Sequence, residues 1–169
     1  MASSNSVFAS FANILLVFSV VLQLIGANEL ARGWGDKIDW VNLDEGLKHA
    51  EEYKKPLMLI IHKSWCGACK NLKPNFAASQ ELQTLSKHFI MVNVQDDEEP
   101  SDAMYKPDGG YIPRILFLDP NGRVRQDIFN QGGNESYKFY YYNANSIVTS
   151  MHRALDQIKA VPKQPIDEL

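Results

Sequence analysis

The sequence predicts an α/β domain built on a mixed sheet of four to five strands flanked by helices. Three observations carry that expectation. Apolar runs of strand length occur at 57–61, 89–94 and 113–118. Amphipathic helical patterns alternate with them, which is the order of a sheet covered by helices. Pro120-Asn121-Gly122 is a turn signal between 113–118 and 124–129, so a hairpin is expected there. The 169 residues, 45% hydrophobic and 22% charged, suit a single domain. A net charge of -3 gives no basis for a nucleic-acid partner.

Residues 1–27 carry no acidic or basic side chain, and 14–25 are apolar apart from Ser19 and Gln23. Small Gly26 and Ala27 precede polar Asn28. This reads as a cleaved secretory signal peptide, with no stable membrane insertion afterwards. An uncleaved anchor is the rival, because 7–25 could nearly span a bilayer. The breaks at Ser10 and Asn13 favour the shorter signal. The domain then occupies 28–160. Residues 37–41 suit a short edge strand. Leu43, Leu47 and Ala50 recur at helical spacing behind Asn42, a suitable N-cap. The run 57–61 is apolar on both faces, as in the buried centre of a sheet. A helix is expected from Cys66 to about Ser79, kinked by Pro74, with Leu82 and Leu85 continuing a helical face. Strand 89–94 should return parallel to 57–61.

Asp96-Asp97-Glu98-Glu99 reads as a solvated acidic loop. The connection 96–111 is nonetheless long enough to suggest a role at a site. After the hairpin, Asn134-Glu135-Ser136 forms an N-glycosylation sequon, with Asn134 as the acceptor. Tyr137, Phe139, Tyr140, Tyr141 and Tyr142 read as core and rim packing under the last helix rather than as a ligand site. Ile147, Val148, Met151, Leu155 and Ile158 mark that helix's apolar face. Pro162 and Pro165 make 161–169 a disordered tail. It ends Ile166-Asp167-Glu168-Leu169, which differs from the Lys-Asp-Glu-Leu retrieval signal only in its first residue. Signal and tail together predict the lumen of the endoplasmic reticulum, with the retrieval receptor as a partner.

The chemistry centres on Cys66-Gly67-Ala68-Cys69, which holds the only two cysteines of the chain. A strand delivers this pair to the first turn of a helix, whose free N–H groups and dipole stabilise a thiolate. The thiolate is the reactive form. Cys66 should be the exposed nucleophile, and Cys69, one turn further in, the resolving thiol. A structural disulfide fits less well, since closing so short a loop gives only about 2 kcal/mol. A zinc site needs four ligands, and His49, His62, His88 and His152 show no paired metal spacing. No metal is expected.

Trp65-Cys66-Gly67-Ala68-Cys69-Lys70 with Pro74, and Ile112-Pro113 opening an apolar strand, resemble the two landmarks of the thioredoxin superfamily. His62-Lys63-Ser64, Asp108-Gly109-Gly110-Tyr111-Ile112-Pro113 and the Asp-Glu-Leu terminus narrow the likeness. They resemble the small endoplasmic-reticulum oxidoreductases of the thioredoxin domain-containing protein 12 type, relatives of the anterior-gradient proteins. The likeness runs from about Gly33 to the end. It implies a thioredoxin-like fold and a cis peptide before Pro113. It also implies a substrate-binding surface at Trp65, Ile112 and Pro113, with backbone groups at Ile112 and Pro113 pairing with the substrate backbone. Disulfide isomerases carry a His where Ala68 stands, and thioredoxins a Pro, so an intermediate redox poise is expected. His62, Lys63 and Lys70 are candidates for tuning the thiol pKa, with His62 also a candidate proton relay. One position departs from the family: its buried acid, six residues before the first cysteine, is replaced by Ile60.

The reading is a protein-disulfide oxidoreductase that forms, reduces or rearranges disulfides in cysteine-containing secretory proteins. Its redox group is the Cys66–Cys69 disulfide itself, with glutathione as a redox partner and no organic cofactor. The alternative is a non-enzymatic, chaperone-like client-binding module of the anterior-gradient type.

Overall fold

A computed structural model describes residues 29–159. The signal-peptide segment 1–27 and the tail 161–169, with Ile166-Asp167-Glu168-Leu169, lie outside them. The central sheet has four strands in the order β1-β3-β2-β4. These are β1 (Trp40–Val41), β2 (Leu57–His62), β3 (Ile90–Gln95) and β4 (Arg114–Leu118). β3 runs parallel to β1 and to β2, while β4 pairs antiparallel with β2. Every residue of β2 is buried, as its two-faced apolar pattern requires.

Alternation along β2 divides the core. Met58 and Ile60 face a cluster with Trp34, Leu72, Phe76, Phe117 and Met151, whereas Leu57, Leu59 and Ile61 face Ala50, Val92, Leu116 and Phe139. The first cluster is covered by α2 (Gly67–Ala78), α3 (Gln80–Ser86) and α4 (Ala144–Lys159), the second by α1 (Leu43–Tyr53). Asn42 caps α1 as expected, its Oδ1 accepting the Glu45 N–H at 2.9 Å. Gly46 lets α1 approach β3: a Cβ there would stand 2.5 Å from Val92 Cγ2. Ile147, Met151, Ala154 and Ile158 form the buried face of α4. No described helix is long and apolar enough to cross a membrane.

The helix after Cys66 ends at Ala78, as expected near Ser79, and Ser79 caps a separate short helix that buries Leu82 and Leu85, its Oγ accepting the Leu82 N–H. One local expectation is corrected. Residues 124–129 are not a fifth strand. Val124 makes one isolated bridge to Leu118, and the chain then turns, with the Ile128 N–H on the Arg125 carbonyl. Polar Arg125, Gln126 and Asp127 have little to gain from a strand, and the Arg125 guanidinium folds back on the Asp127 carboxylate. The aromatic run is split between core and rim as expected: Phe139 and Tyr141 are buried, and Tyr137 and Tyr142 are 47% and 61% exposed.

Candidate active site

Cys66 is the N-cap of α2, at the carboxyl end of β2. Its Sγ accepts the Cys69 N–H at 3.1 Å, so one free amide of the first turn points at this sulfur. Negative charge on Cys66 is favoured there. The two cysteines are joined as a disulfide, with Cα atoms 5.3 Å apart. Cys69 is fully buried and Cys66 keeps an exposure of 5%. The order of access is the expected one, but Cys66 is far less open than a strand-to-helix turn alone suggests. The covering group is the segment before β4: the Ile112 carbonyl oxygen lies 4.0 Å from Cys66 Sγ. The Ile112–Pro113 peptide is cis. Trp65, next to Cys66 in the chain, is 71% exposed. The structure thus brings Trp65, Cys66, Ile112 and Pro113 to one end of the sheet.

The three tuning candidates fare differently. His62 is buried at the end of β2, and burial lowers its pKa to about 4 although its hydrogen bond to Asn93 pulls upward. It is neutral at pH 7 and lends no positive charge to a thiolate. Asn93 Nδ2 donates to the Leu30 carbonyl, which leaves Oδ1 to accept from His62 Nε2 at 3.2 Å. His62 Nδ1 has no hydrogen-bond partner among the described residues. Its ring packs edge-on against Trp34, which packs in turn against Phe76 of α2. The Lys63 ammonium is already engaged, 2.7 Å from the Glu99 carboxylate and donating to the Asp96 carbonyl at 2.6 Å. Lys70 is exposed on α2. Most of the thiolate stabilisation therefore falls to the helix end. Ile60, at the position of the family acid, is buried among apolar side chains. Asn134 is exposed, and its Oδ1 accepts the Ser136 N–H at 2.9 Å.

The acidic run, expected as a solvated loop, is the scaffold of the site. Asp96 Oδ1 accepts the Ser64 N–H at 2.8 Å, and that hydrogen bond is the first cause holding its carboxyl below the ordinary range. Glu98 pairs with the Arg32 guanidinium, which holds its carboxyl low. Glu99 bridges Lys63 to Arg114, whose Nη2 lies 2.5 Å away. Burial pushes the Glu99 carboxyl up, but the hydrogen bonds from Lys63 and Arg114 outweigh it, and the net shift is downward. Arg114 is fully buried and also donates to the carbonyls of Tyr105 and Tyr111. One carboxylate therefore ties the residue three before Cys66 to the residue after Pro113. Sequence reasoning missed Arg114 and Glu99. The signal was present, since a buried guanidinium at the head of an apolar strand needs a carboxylate, and the acidic run was the nearest source. Among the described residues, no cluster of His, Cys, Asp or Glu could hold a metal ion.

Fold and site together define a thioredoxin-like protein with a Cys-x-x-Cys site, and a family model described as thioredoxin-like matches residues 39–120. A thioredoxin from Thermus thermophilus superposes with a TM-score of 0.54 at 15% identity, covering 73% of this chain and 92% of that one. Among sequences, anterior gradient protein 3 of Xenopus tropicalis is 40% identical over 142 residues, 83% of this chain and 85% of the relative. Anterior gradient protein 3 of Mus musculus is 41% identical over 133 residues, 78% of this chain and 79% of the relative. The chain belongs to the anterior-gradient family. The resemblance to the thioredoxin domain-containing protein 12 type rests on the motifs alone.

Proposed function

We propose that this chain is a thiol–disulfide oxidoreductase of the endoplasmic reticulum lumen, acting on cysteines of secretory proteins. One observation carries the reading. Cys66 Sγ sits on a free amide of the first turn of α2, and the only other cysteine, in disulfide contact, lies one turn behind it. In the reductive direction the Cys66 thiolate attacks one sulfur of a substrate disulfide. The S–S bond breaks, the departing sulfur leaves as a thiolate and takes up a proton, and a mixed disulfide remains. The Cys69 thiol loses its proton and attacks Cys66 Sγ, which expels the second substrate sulfur and closes Cys66–Cys69. Two electrons have passed to the substrate. Two glutathione thiols then restore the reduced pair with formation of glutathione disulfide; the reverse sequence oxidises a substrate dithiol, after which glutathione disulfide restores the Cys66–Cys69 disulfide and leaves two glutathione thiols.

Trp65, Ile112 and Pro113 form the surface over which the substrate chain passes. Water stands in for the family acid as proton acceptor for Cys69, because Ile60 carries no titratable group and buried His62, with its pKa lowered to about 4, is too weak a base. The motif flanks align this site with the thioredoxin domain-containing protein 12 type. Asn134 is the proposed glycan acceptor, and the terminal Ile166-Asp167-Glu168-Leu169 the retrieval signal. A second reading, a client-binding module without turnover, is favoured by exposed Tyr137 and Tyr142 close to Ile112. Intact Cys69 argues against it, since a tether needs one thiol.

Cys66→Ser is expected to abolish oxidation of a dithiol peptide and reduction of its disulfide. Cys69→Ser is expected to accumulate mixed disulfides visible by non-reducing electrophoresis. Iodoacetamide labelling of Cys69 before Cys66 at neutral pH would reverse the assigned roles. Binding of the peptide without any turnover would support the second reading.

A further inference from the structure

Ile112 has two neighbours. Its carbonyl oxygen lies 4.0 Å from Cys66 Sγ, and the residue also lines an open cavity of about 440 Å³. The other walls include Tyr111, Tyr137, Tyr140 and Tyr142, with Asn134 at the rim. Tyr137 and Tyr142 are 47% and 61% exposed, which is high for large aromatic rings side by side on one surface.

The cavity is held in shape. The Tyr111 hydroxyl donates to the Asp108 carboxylate at 2.7 Å and accepts the Phe139 N–H at 3.0 Å. Asp108 also accepts the Lys138 N–H at 2.7 Å. The ring of Tyr137 stands edge-on to Tyr111, with centroids 4.9 Å apart. On the far wall Asn130 Nδ2 donates to the Tyr140 carbonyl at 2.9 Å. Gly133 packs so closely on Asn130 that a Cβ would stand 2.5 Å from its Nδ2. The Tyr111 and Tyr137 rings are thus positioned before any ligand arrives, which lowers the ordering cost of binding.

We propose that this aromatic cavity is a side-chain subsite for the polypeptide being oxidised or reduced, and that it selects an aromatic or large aliphatic residue near the target cysteine. The proposal rests on the redox reading above, and the site is continuous with it through Ile112. A substrate sulfur in contact with Cys66 fixes where the rest of its chain runs. An extended chain that crosses Ile112 advances about 7 Å in two residues, and alternate side chains share a face. The residue two positions from the target cysteine therefore reaches the tyrosines. A ring there meets offset or edge-on aromatic partners, and the tyrosine hydroxyls keep the walls wet at the rim.

The test uses the full domain in reduced form and a set of glutathionylated peptides. Each carries one cysteine, with Phe two positions before it, two positions after it, or replaced by Ala. In each single turnover Cys66 and Cys69 donate two electrons, leaving their own disulfide, the peptide thiol and glutathione. One Phe peptide is expected to react at least about tenfold faster than the Ala peptide at subsaturating concentration. The ratio should fall toward one in Tyr142→Ala and Tyr137→Ala, whose exposed rings contribute little to the core, and should persist in Tyr142→Phe. A ratio of one in the native chain, or one unaffected by both alanine substitutions, overturns the proposal. So does a Tyr142→Ala effect confined to sedimentation, which would mark a contact between copies of the chain. If even glutathione disulfide is not reduced, the redox reading fails by itself. Fluorescence anisotropy of the same peptides with Ser for Cys then decides the subsite: a Phe preference lost in Tyr142→Ala supports it, and equal binding overturns it.

Discussion

His62 enters the folded protein neutral, and this has a pH signature. Burial lowers its pKa to about 4 from the ordinary 6.5. The unfolded chain takes up the proton below about pH 6.5, the folded chain only near the lower value. Stability therefore falls as pH drops through that window, by about 2 kcal/mol between pH 7 and 5. His62→Leu should flatten the profile there, as read by urea midpoints at the two pH values. A slope that survives the substitution would assign it to another group. At this scale the sequence was most informative where chemistry is scarce. Two cysteines in the whole chain, spaced as Cys-x-x-Cys at the head of a helix, leave few other readings. It was least informative where burial comes from distant segments. Nothing local distinguishes Tyr141, fully buried with its hydroxyl on Ser150, from Tyr142 beside it, which is exposed.

Between β3 and β4, the 96–111 connection is the element that aligns the two halves of the site. It reaches Ser64 through Asp96, and Lys63 and Arg114 through Glu99. Glu99→Gln leaves the Arg114 guanidinium buried without a countercharge, at a cost of about 3 kcal/mol, the lower end for breaking such a pair. Arg114→Met together with Glu99→Gln should recover part of that loss, which a double-mutant cycle in urea measures. Because the Glu99 carboxyl is held below its ordinary 4.5, its contribution is present above that pH. It is lost as pH falls through the lower folded value, a window below that of His62. Strand β2, the parallel β3 and the amphipathic α4 were legible because period and apolar length agree with burial. The hairpin return was not, since a turn signal fixes the reversal but not how far the pairing continues beyond Val124. The role of the acidic run was hidden for another reason. Charge patterning alone cannot tell a solvated carboxylate from one that holds a buried arginine.

The whole molecule presents its redox pair, the Ile112 segment and the aromatic cavity at one end. At the opposite end Ile158, near the end of α4, lies by Lys54, Pro56, His88 and Pro120. The proposed retrieval signal, Ile166-Asp167-Glu168-Leu169, follows α4 in the sequence. Deleting Asp167-Glu168-Leu169 should therefore release an active protein into the medium of expressing cells, scored by immunoblot of medium and lysate. Full retention of the truncated chain would require another anchor. The measurement that most directly tests the central claim is the reduction potential of the Cys66–Cys69 couple, determined by equilibration against glutathione buffers. Ala68 contributes no charge, and the end of α2 stabilises the thiolate, so a value between about -230 and -180 mV is expected, within the range of redox-active pairs. A value below about -300 mV, or a pair that never equilibrates with glutathione, would mark a structural disulfide and contradict a catalytic one.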